Sequence, residues 1–503
     1  MNFIYFFYFV LYNLGIYFKK EGAKMNEKKF VEAITARDVD FAKWYTDVVT
    51  KAKLCEYTSI KGCMVYMPAG YAIWENIQNN LDRRFKETGV KNVYMPLLIP
   101  ESLLTKEKDH VEGFAPEVAW VTHGGSERLE ERLCIRPTSE TLFCEHWQKN
   151  LNSYRDLPFV YNQWCSVLRW EKTTRPFLRS KEFLWQEGHT IHATSKEAED
   201  RTLQMLNIYH DFVEQDLAIP LIWGKKTESE KFAGAESTYT IEAMMKDGKA
   251  LQSGTSHYFG NGFSKAFDVK FINKDNKYEN PYQTSWGLST RIIGAIIMVH
   301  GDDDGLVLPP KIAPIQTMII PIGTNKEGVL ETSNNIYNLL KEKGIKVDID
   351  LTDRTPGYKF SNQEIQGIPT RVEIGPRDLE EGVVTIVRRD TREKIKVSID
   401  RVYEELTEVL TTIQKDMYDK AKEYLESHIY EATTMEEMIN LFNVKQGFVK
   451  AMWCGSEECE DEIKYQTGGA TSRCIPFEET KLSDKCICCG KNAKHMVYFG
   501  KSY

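Results

Sequence analysis

A proline-rich stretch, LVLPPKIAPIQ (306–316), constrains this chain more than any other feature, because it breaks regular structure and separates two different textures. At 503 residues the chain is too long for one hydrophobic core, and a prior of roughly 150 residues per domain predicts about three units. Ahead of the prolines, strands come in runs with helices flanking them. AIWENIQNNLDRRFKETGV (72–90) has apolar residues at helical spacing and a terminating Gly89, and NVYMPLLIP reads as a strand closed by Pro100. Residues 155–192 alternate in strand fashion around a polar turn, and STYTIEAMM and ALQSGTSHYFG add further strands. RIIGAIIMVHG (291–301) is apolar nearly all round, which predicts a buried helix. Together these predict an α+β fold built on an antiparallel sheet. Behind the prolines, QTMIIPI, NIYNLLKEKG, KVDIDL, TRVEIG and GVVTIVRR alternate strand and helix, which predicts a small α/β domain ending near residue 412. A charged helical stretch (413–430) then leads into a cysteine-rich tail.

A formal net charge of -8 argues against loose, charge-driven nucleic-acid binding, but it leaves room for a local basic face that reads one RNA. The odd total of 11 cysteines fits a reducing cytosol better than a disulfide scaffold. Cys454-x4-Cys459 and Cys486-x2-Cys489 form two close pairs across a long loop, and tetrahedral zinc accepts four thiolates at such spacing. The alternative is free thiols, and the spare Cys474 and Cys488 leave the ligand choice open. At the other end, NFIYFFYFVLYNLGIYF is apolar, yet shorter than the about 20 residues of a spanning helix and without an export-signal pattern. KKEGAK can be encoded by a purine-rich run like a bacterial ribosome-binding site just before Met25. Residues 1–24 are therefore expected to be an extension from a misplaced start, with no membrane association.

The densest chemistry lies in SVLRWEKTTRPFLRSKEFLWQEGH (166–189). On a strand, Arg169 and Glu171 share a face; on a returning strand from Arg179, so do Arg179, Lys181, Phe183, Trp185 and Glu187. Such a hairpin suits a nucleoside triphosphate. Guanidinium groups pair with phosphate oxygens through two parallel bonds, a phenyl ring offers a purine a stacking face, and a carboxylate takes an amino group or magnesium. A salt-bridged, solvated sheet face explains an isolated Arg-x-Glu equally well.

In context, Arg169-x-Glu171, a loop and Arg179-x-x-x-Phe183 resemble motif 2 of class II aminoacyl-tRNA synthetases. Gly287-x-x-x-Arg291 in SWGLSTRIIGA resembles motif 3, and helix 72–90 with Pro96 resembles motif 1, where two subunits meet. IRPTSE (135–140), FLWQEGHT (183–190), EKFAGAESTYTIEAMM (230–245) and ALQSGTSHYFG (250–260) narrow the resemblance to prolyl-tRNA synthetases of the archaeal and eukaryotic-like type, over residues 27–503.

The resemblance implies ATP-dependent activation of L-proline to prolyl-adenylate, then transfer to the 3′ end of tRNA(Pro), in the cytoplasm and as a homodimer, without DNA. It implies proline-site roles for Thr138, Glu140, Trp185 and His257. By their residue types, Glu140 can pair with the substrate's ammonium and Thr138 can orient it. TSE can equally be a helix N-cap, Trp185 can equally be core, and a histidine in SGTSHYFG is by itself more often a packed, hydrogen-bonded residue. For ATP the resemblance implies Arg169 on the α-phosphate and the attacking carboxylate, and Arg291 on the γ-phosphate, these two being the catalytic candidates. Phe183 would stack on adenine, Arg179 and Ser180 would close over the nucleotide, and Glu171, Gln252, Thr255 and Ser289 complete the ATP set, Gln252 near Mg2+. The implied layout is a catalytic domain (25–308) with no inserted editing domain between Glu187 and Gly287, an anticodon-binding domain (309–412) and a small α+β zinc domain (413–503). Arg354, Lys359, Arg371, Arg377, Arg388 and Arg389 are candidate RNA contacts, although any one of them taken singly reads better as a solvated surface charge; the zinc is structural, with Cys486 and Cys489 the better-matched pair, and a terminal tyrosine, here Tyr503, approaches the active site in relatives.

Overall fold

The computed structural model describes residues 34–106 and 118–503, so the expectation about residues 1–24 lies outside the described residues. Helix α1 (Phe41–Lys51) starts on Asp40, whose carboxylate accepts the Lys43 amide and so satisfies an otherwise orphaned donor. Helix α2 (Pro68–Glu87) begins four residues before the expected position, because Pro68 is preset for a first helical turn. Ile73, Ile77, Leu81 and Phe85, four apart, bury one face.

NVYMPLLIP does not form the single strand expected. Only β1 (Lys91–Asn92) joins the main sheet, and Leu98–Pro100 pairs in a separate three-stranded sheet. Between them Pro96 lacks an N–H. The buried Arg136 guanidinium donates instead to the carbonyls of Met95 at 2.7 Å, Pro96 at 3.4 Å and Ser166 at 3.0 Å. Helix α3 (Glu140–Asn150) follows.

The catalytic-type sheet is carried by β2 (Phe159–Leu168), β3 (Glu182–His192), β4 (Leu221–Lys225), β5 (Ser237–Met244), β6 (Ala250–Gly260) and β7 (Tyr282–Ser289), in the order β4-β5-β6-β7-β3-β2-β1. All its pairs are antiparallel except β1 with β2. Helix α4 (Ser195–Gln215) lies across β6 and β7 and buries Met205, Tyr209 and Phe212. Helix α5 (Arg291–His300) buries every residue from Ile292 to Val299, as its all-round apolar pattern predicts. Between Glu187 and Gly287 the chain is occupied by the rest of β3, α4, β4 to β6, a short helix and a small hairpin.

After the prolines, β8 (Thr317–Pro321), helix α6 (Val329–Glu342), β9 (Val347–Ile349), helix α7 (Pro356–Ile365), β10 (Thr370–Ile374), β11 (Val383–Arg388) and β12 (Lys394–Ser398) build the expected α/β unit. Its five-stranded sheet has the order β9-β8-β10-β11-β12, parallel on one side and antiparallel on the other. Helix α8 (Val402–Ser427) runs unbroken through the junction expected at 412.

The tail adds β13 (Ile429–Glu431), β14 (Phe448–Trp453), β15 (Thr471–Pro476) and β16 (His495–Gly500). It does not stand apart. β15 pairs with β4, so the tail and the catalytic-type sheet form one sheet of 11 strands. Gly224 makes that seam possible: a Cβ there would lie 2.0 Å from the Ile475 carbonyl oxygen.

Candidate active site

Strand register gathers the site. On one face of the sheet Thr238 stands opposite His257, His257 opposite Ser285, and Ser285 opposite His189. The next row is Thr240, Thr255, Gly287 and Glu187; beyond it Glu242 faces Gln252, and Trp185 faces Ser289. Apart from Thr240 and Glu242, the residues of these rows line a cavity of about 250 Å³ that also takes in Thr138, Glu140, Arg169, Phe183 and Arg291.

At one end the cavity is acidic and tightly bonded. Thr138 Oγ1 donates to Glu140 Oε2 at 2.5 Å, and both residues are buried. Ser139, between them, turns the other way, its hydroxyl donating to Glu187 Oε1 at 2.6 Å and its amide to Oε2 at 3.1 Å. Gln163 Nε2 donates to the same Oε1 at 2.6 Å, and His189 Nε2 lies 2.9 Å from Oε2. Burial alone would raise the Glu187 carboxyl; the hydrogen bond and charge of His189, with Ser139 and Gln163, hold it below its ordinary value. The His257 ring sits between Thr238 Oγ1 and Thr255 Oγ1, each at 3.0 Å, and Phe232 packs on it with centroids 4.7 Å apart. Burial, helped by the charge of His189, lowers His257 to about 3, so its imidazole is neutral.

The other end is basic. The Arg169 guanidinium lies 5.6 Å from the Phe183 ring centroid and 5.4 Å from that of Trp185, and its Nε donates to the Pro137 carbonyl at 3.2 Å. Arg291 opens α5 with its Nε on the Leu178 carbonyl at 3.2 Å; burial, then the charges of Arg169 and Arg179, bring it down to about 10. Arg169 and Arg291 are like charges at this end of the cavity, an arrangement that an anion relieves.

The hairpin differs from expectation in its loop. The returning strand starts at Glu182, so Arg179 and Lys181 do not share a strand face with Phe183. Pro176 and Phe177 (φ 59°) tighten the turn, and Arg175 and Arg179 exchange backbone bonds at 2.7 and 3.0 Å. Glu171, Arg179 and the buried Ser180 therefore do not line the cavity; they belong to the loop whose two ends, Arg169 and Phe183, do. Arg179 is half-exposed, with Nε 3.5 Å from Glu171 Oε1.

In the tail, the thiol sulfurs of Cys454, Cys459, Cys486 and Cys489 lie within 4.8 Å of one another. Cys454 is 3.7 Å from Cys459 and 3.7 Å from Cys489, matching the edge of about 3.8 Å that Zn–S bonds of about 2.3 Å give a tetrahedron. Cys474 is buried on β15 and Cys488 is half-buried; neither belongs to this foursome.

Four of the six expected RNA contacts are spent inside the protein. Lys359 donates to the Asp350 carbonyl at 2.8 Å, Arg371 pairs with Glu364 and Glu373, and Arg388 pairs with Asp390 and Asp416. Arg389, 1% exposed, grips both oxygens of Asp302 at 2.6 Å and so ties the α/β unit to the segment after α5. Arg354 and Arg377 remain exposed.

Comparison with known proteins decides the lineage. The family model "tRNA synthetase class II core domain (G, H, P, S and T)" matches residues 120–300, "Anticodon binding domain" matches 316–409, and "Prolyl-tRNA synthetase, C-terminal" matches 435–503. The chain is 65% identical over 478 residues to the proline–tRNA ligase of Agathobacter rectalis, covering 95% of this chain and 99% of that one. It is 59% identical over 477 residues to that of Clostridium novyi, with 95% and 99% covered. The chain belongs to the prolyl-tRNA synthetase family. The crystal structure of a prolyl-tRNA synthetase from Cryptosporidium parvum, complexed with halofuginone and AMPPNP, superposes with a TM-score of 0.90 at 42% identity, covering 94% of this chain and 99% of that one.

For a prolyl-tRNA synthetase, sequence reasoning singled out about half of the residues that line the cavity; it gave Glu187 a strand face but no role, and did not single out His189, Glu230, Phe232, Thr238 or Ser285, among others. Strand alternation carried part of the signal, since Glu187 and His189 follow Trp185 at steps of two. Nothing local announced Ser139 and Gln163, whose roles come from folding against Glu187.

Proposed function

We propose that this cavity joins L-proline to ATP and then passes the prolyl group to the 3′ end of tRNA(Pro), as a proline–tRNA ligase. The carrying observation is that Thr138, Glu140 and His257 share one cavity with Arg169, Phe183 and Arg291. In this reading the Glu140 carboxylate pairs with proline's secondary ammonium and the Thr138 hydroxyl orients it. A neutral His257 and the Trp185 indole wall the apolar ring. Arg169 bridges the substrate carboxylate and the α-phosphate, Phe183 stacks on adenine, and Arg291 holds the γ-phosphate. Thr255, Ser289 and Glu171 give polar contacts to the nucleotide, and Arg179 and Ser180 close the motif 2 loop over it.

The carboxylate oxygen attacks the α-phosphorus, the bond to the β-phosphate breaks and pyrophosphate leaves. The tRNA's terminal ribose hydroxyl then attacks the acyl carbon, gives up its proton, and AMP leaves. Neither step needs a protein nucleophile; the residues contribute positioning and stabilisation of phosphate charge. The Gln252 side-chain oxygen is the type of donor magnesium takes, and magnesium would neutralise part of the triphosphate's charge. The four-cysteine cluster fits structural zinc.

The α/β unit supplies the RNA-reading surface, with Arg354 and Arg377 as the remaining candidates. Exposed apolar side chains near α2, among them Tyr57, Val65, Tyr71 and Tyr94, fit a homodimer seam. Among the described residues no helix is long and apolar enough to cross a membrane, and a cytoplasmic site of action accords with that.

Proline-dependent exchange of pyrophosphate into ATP, without tRNA and against a panel of amino acids, tests the reading. Exchange with proline well above the panel is expected. Exchange with another amino acid would overturn the pocket assignment, and none at all would leave a synthetase-like binding protein.

A further inference from the structure

Glu242 stands on β5, opposite Gln252 of β6 and on the face that carries the cavity. It is fully buried and its oxygens are saturated. Oε1 accepts from Lys226 Nζ at 2.9 Å and Thr240 Oγ1 at 3.0 Å; Oε2 accepts from Arg473 Nη2 at 2.9 Å and Nε at 3.2 Å. Burial would raise its carboxyl, but Lys226 and Arg473 hold it below its ordinary value, so it is ionised. Arg473 arrives from 231 residues further along the chain, on β15. Its remaining reach goes to Thr471 Oγ1 at 3.0 Å.

Lys226 and Arg473 bring two positive charges to the single carboxylate they touch, Glu242. The next acidic side chain that Arg473 feels is Glu230, on the cavity wall. Arg291 also senses Glu242. Glu230 thus answers the second cation from the cavity side, so the charge of Arg473 is directed toward the cavity. The cluster lies at Gln252, two rows along the sheet from the Thr238–His257 pair.

We propose that Arg473, delivered by the C-terminal segment, is a positioning residue for the nucleotide: through Glu242 it fixes the β5–β6 row that presents Gln252, and it places positive charge behind the triphosphate. This rests on the adenylate-forming reaction proposed above. The nucleotide end of the cavity is then complete only when β15 is docked on β4, while the proline end is complete without it.

The test uses the zinc-loaded full chain. Arg473→Met removes the charge but leaves Glu242 paired with Lys226, a balanced pair. Steady-state exchange kinetics give KM for ATP and for proline, and calorimetric titration with AMPPNP gives nucleotide affinity without chemistry. The expected result is about a tenfold weakening for ATP and AMPPNP, a proline KM within about twofold of wild type, and partial recovery in Arg473→Lys. Equal shifts for both substrates, or no shift, would overturn the proposal in favour of a purely structural pair. Should Arg473→Met fail to fold, Arg473→Lys alone decides: a selective rise in ATP KM supports the proposal and an unchanged one overturns it. Wild-type protein that binds AMPPNP but shows no proline-dependent exchange would sink the reaction, and this inference with it.

Discussion

Mild acid should weaken this protein well above the range where carboxylates titrate. Three histidines are held neutral by the fold. Burial, then the charge of Arg201, lowers His192 to about 4; burial lowers His257 to about 3 and His300 to about 4. His300 Nε2 also lies 2.8 Å from the Leu217 carbonyl. An unfolded histidine titrates near 6.5. Each of these groups has a depressed folded pKa, so its contribution is fully present above about 6.5 and is lost as pH falls toward the folded values. At pH 5.5 the unfolded chain has taken up nearly all three protons and the folded chain almost none. That asymmetry costs between 1 and 2 kcal/mol per histidine and about 4 kcal/mol in all, and the figure holds as long as the folded values stay well below 5.5. The assay is urea unfolding at fixed protein concentration between pH 7.5 and 5.5, followed by tryptophan fluorescence. His300→Gln, which keeps a donor for Leu217, should reduce the pH-dependent loss by about a third. A stability flat to within about 1 kcal/mol over that range would mean that the histidines accept protons in the folded protein, and the burial argument would be wrong.

Gly188→Ala should disrupt the sheet, because a Cβ there would lie 2.1 Å from the buried Trp286 ring; a loss of about 1–3 kcal/mol or more is expected in thermal unfolding, together with loss of exchange activity. Arg389→Met should cost about 3 kcal/mol, since it leaves Asp302 with Arg392 at 3.7 Å as its remaining cation and the Asp304 amide at 3.0 Å, and an unchanged melting temperature would show that the two units do not depend on this clamp. Metal analysis should find one zinc per chain; a strong chelator, or Cys489→Ser, should abolish it and raise amide exchange in β14 to β16, and protection that survives zinc loss would refute a structural role.

Much of the site was legible because it is built from short-range patterns. The alternation around Arg169 and Phe183, the apolar run after Arg291 and the two cysteine pairs each depend on residues within one or two turns of each other, so periodicity and spacing expose them. The strand expected at NVYMPLLIP failed for a nonlocal reason: a guanidinium from Arg136 satisfies the carbonyls that a neighbouring strand would otherwise have taken. Glu187 looked like one more acid on a strand face until Ser139, Gln163 and His189 folded around it.

Taken alone, the amino-acid sequence determined the α+β class, the break at the prolines and the types of side chain available to a triphosphate, because propensity and periodicity are properties of neighbouring residues. Only the tertiary structure decided which charges are free to act. Lys359, Arg371, Arg388 and Arg389 read singly as solvated charges or RNA contacts, and each is instead consumed by carboxylates or carbonyls, some as near as Glu373 to Arg371 and some as far along the chain as Asp302 from Arg389. Glu242 and Arg473 are unremarkable in sequence and meet because β15 docks on β4. A buried charge survives only with a partner, and partners are chosen by the packing of distant strands.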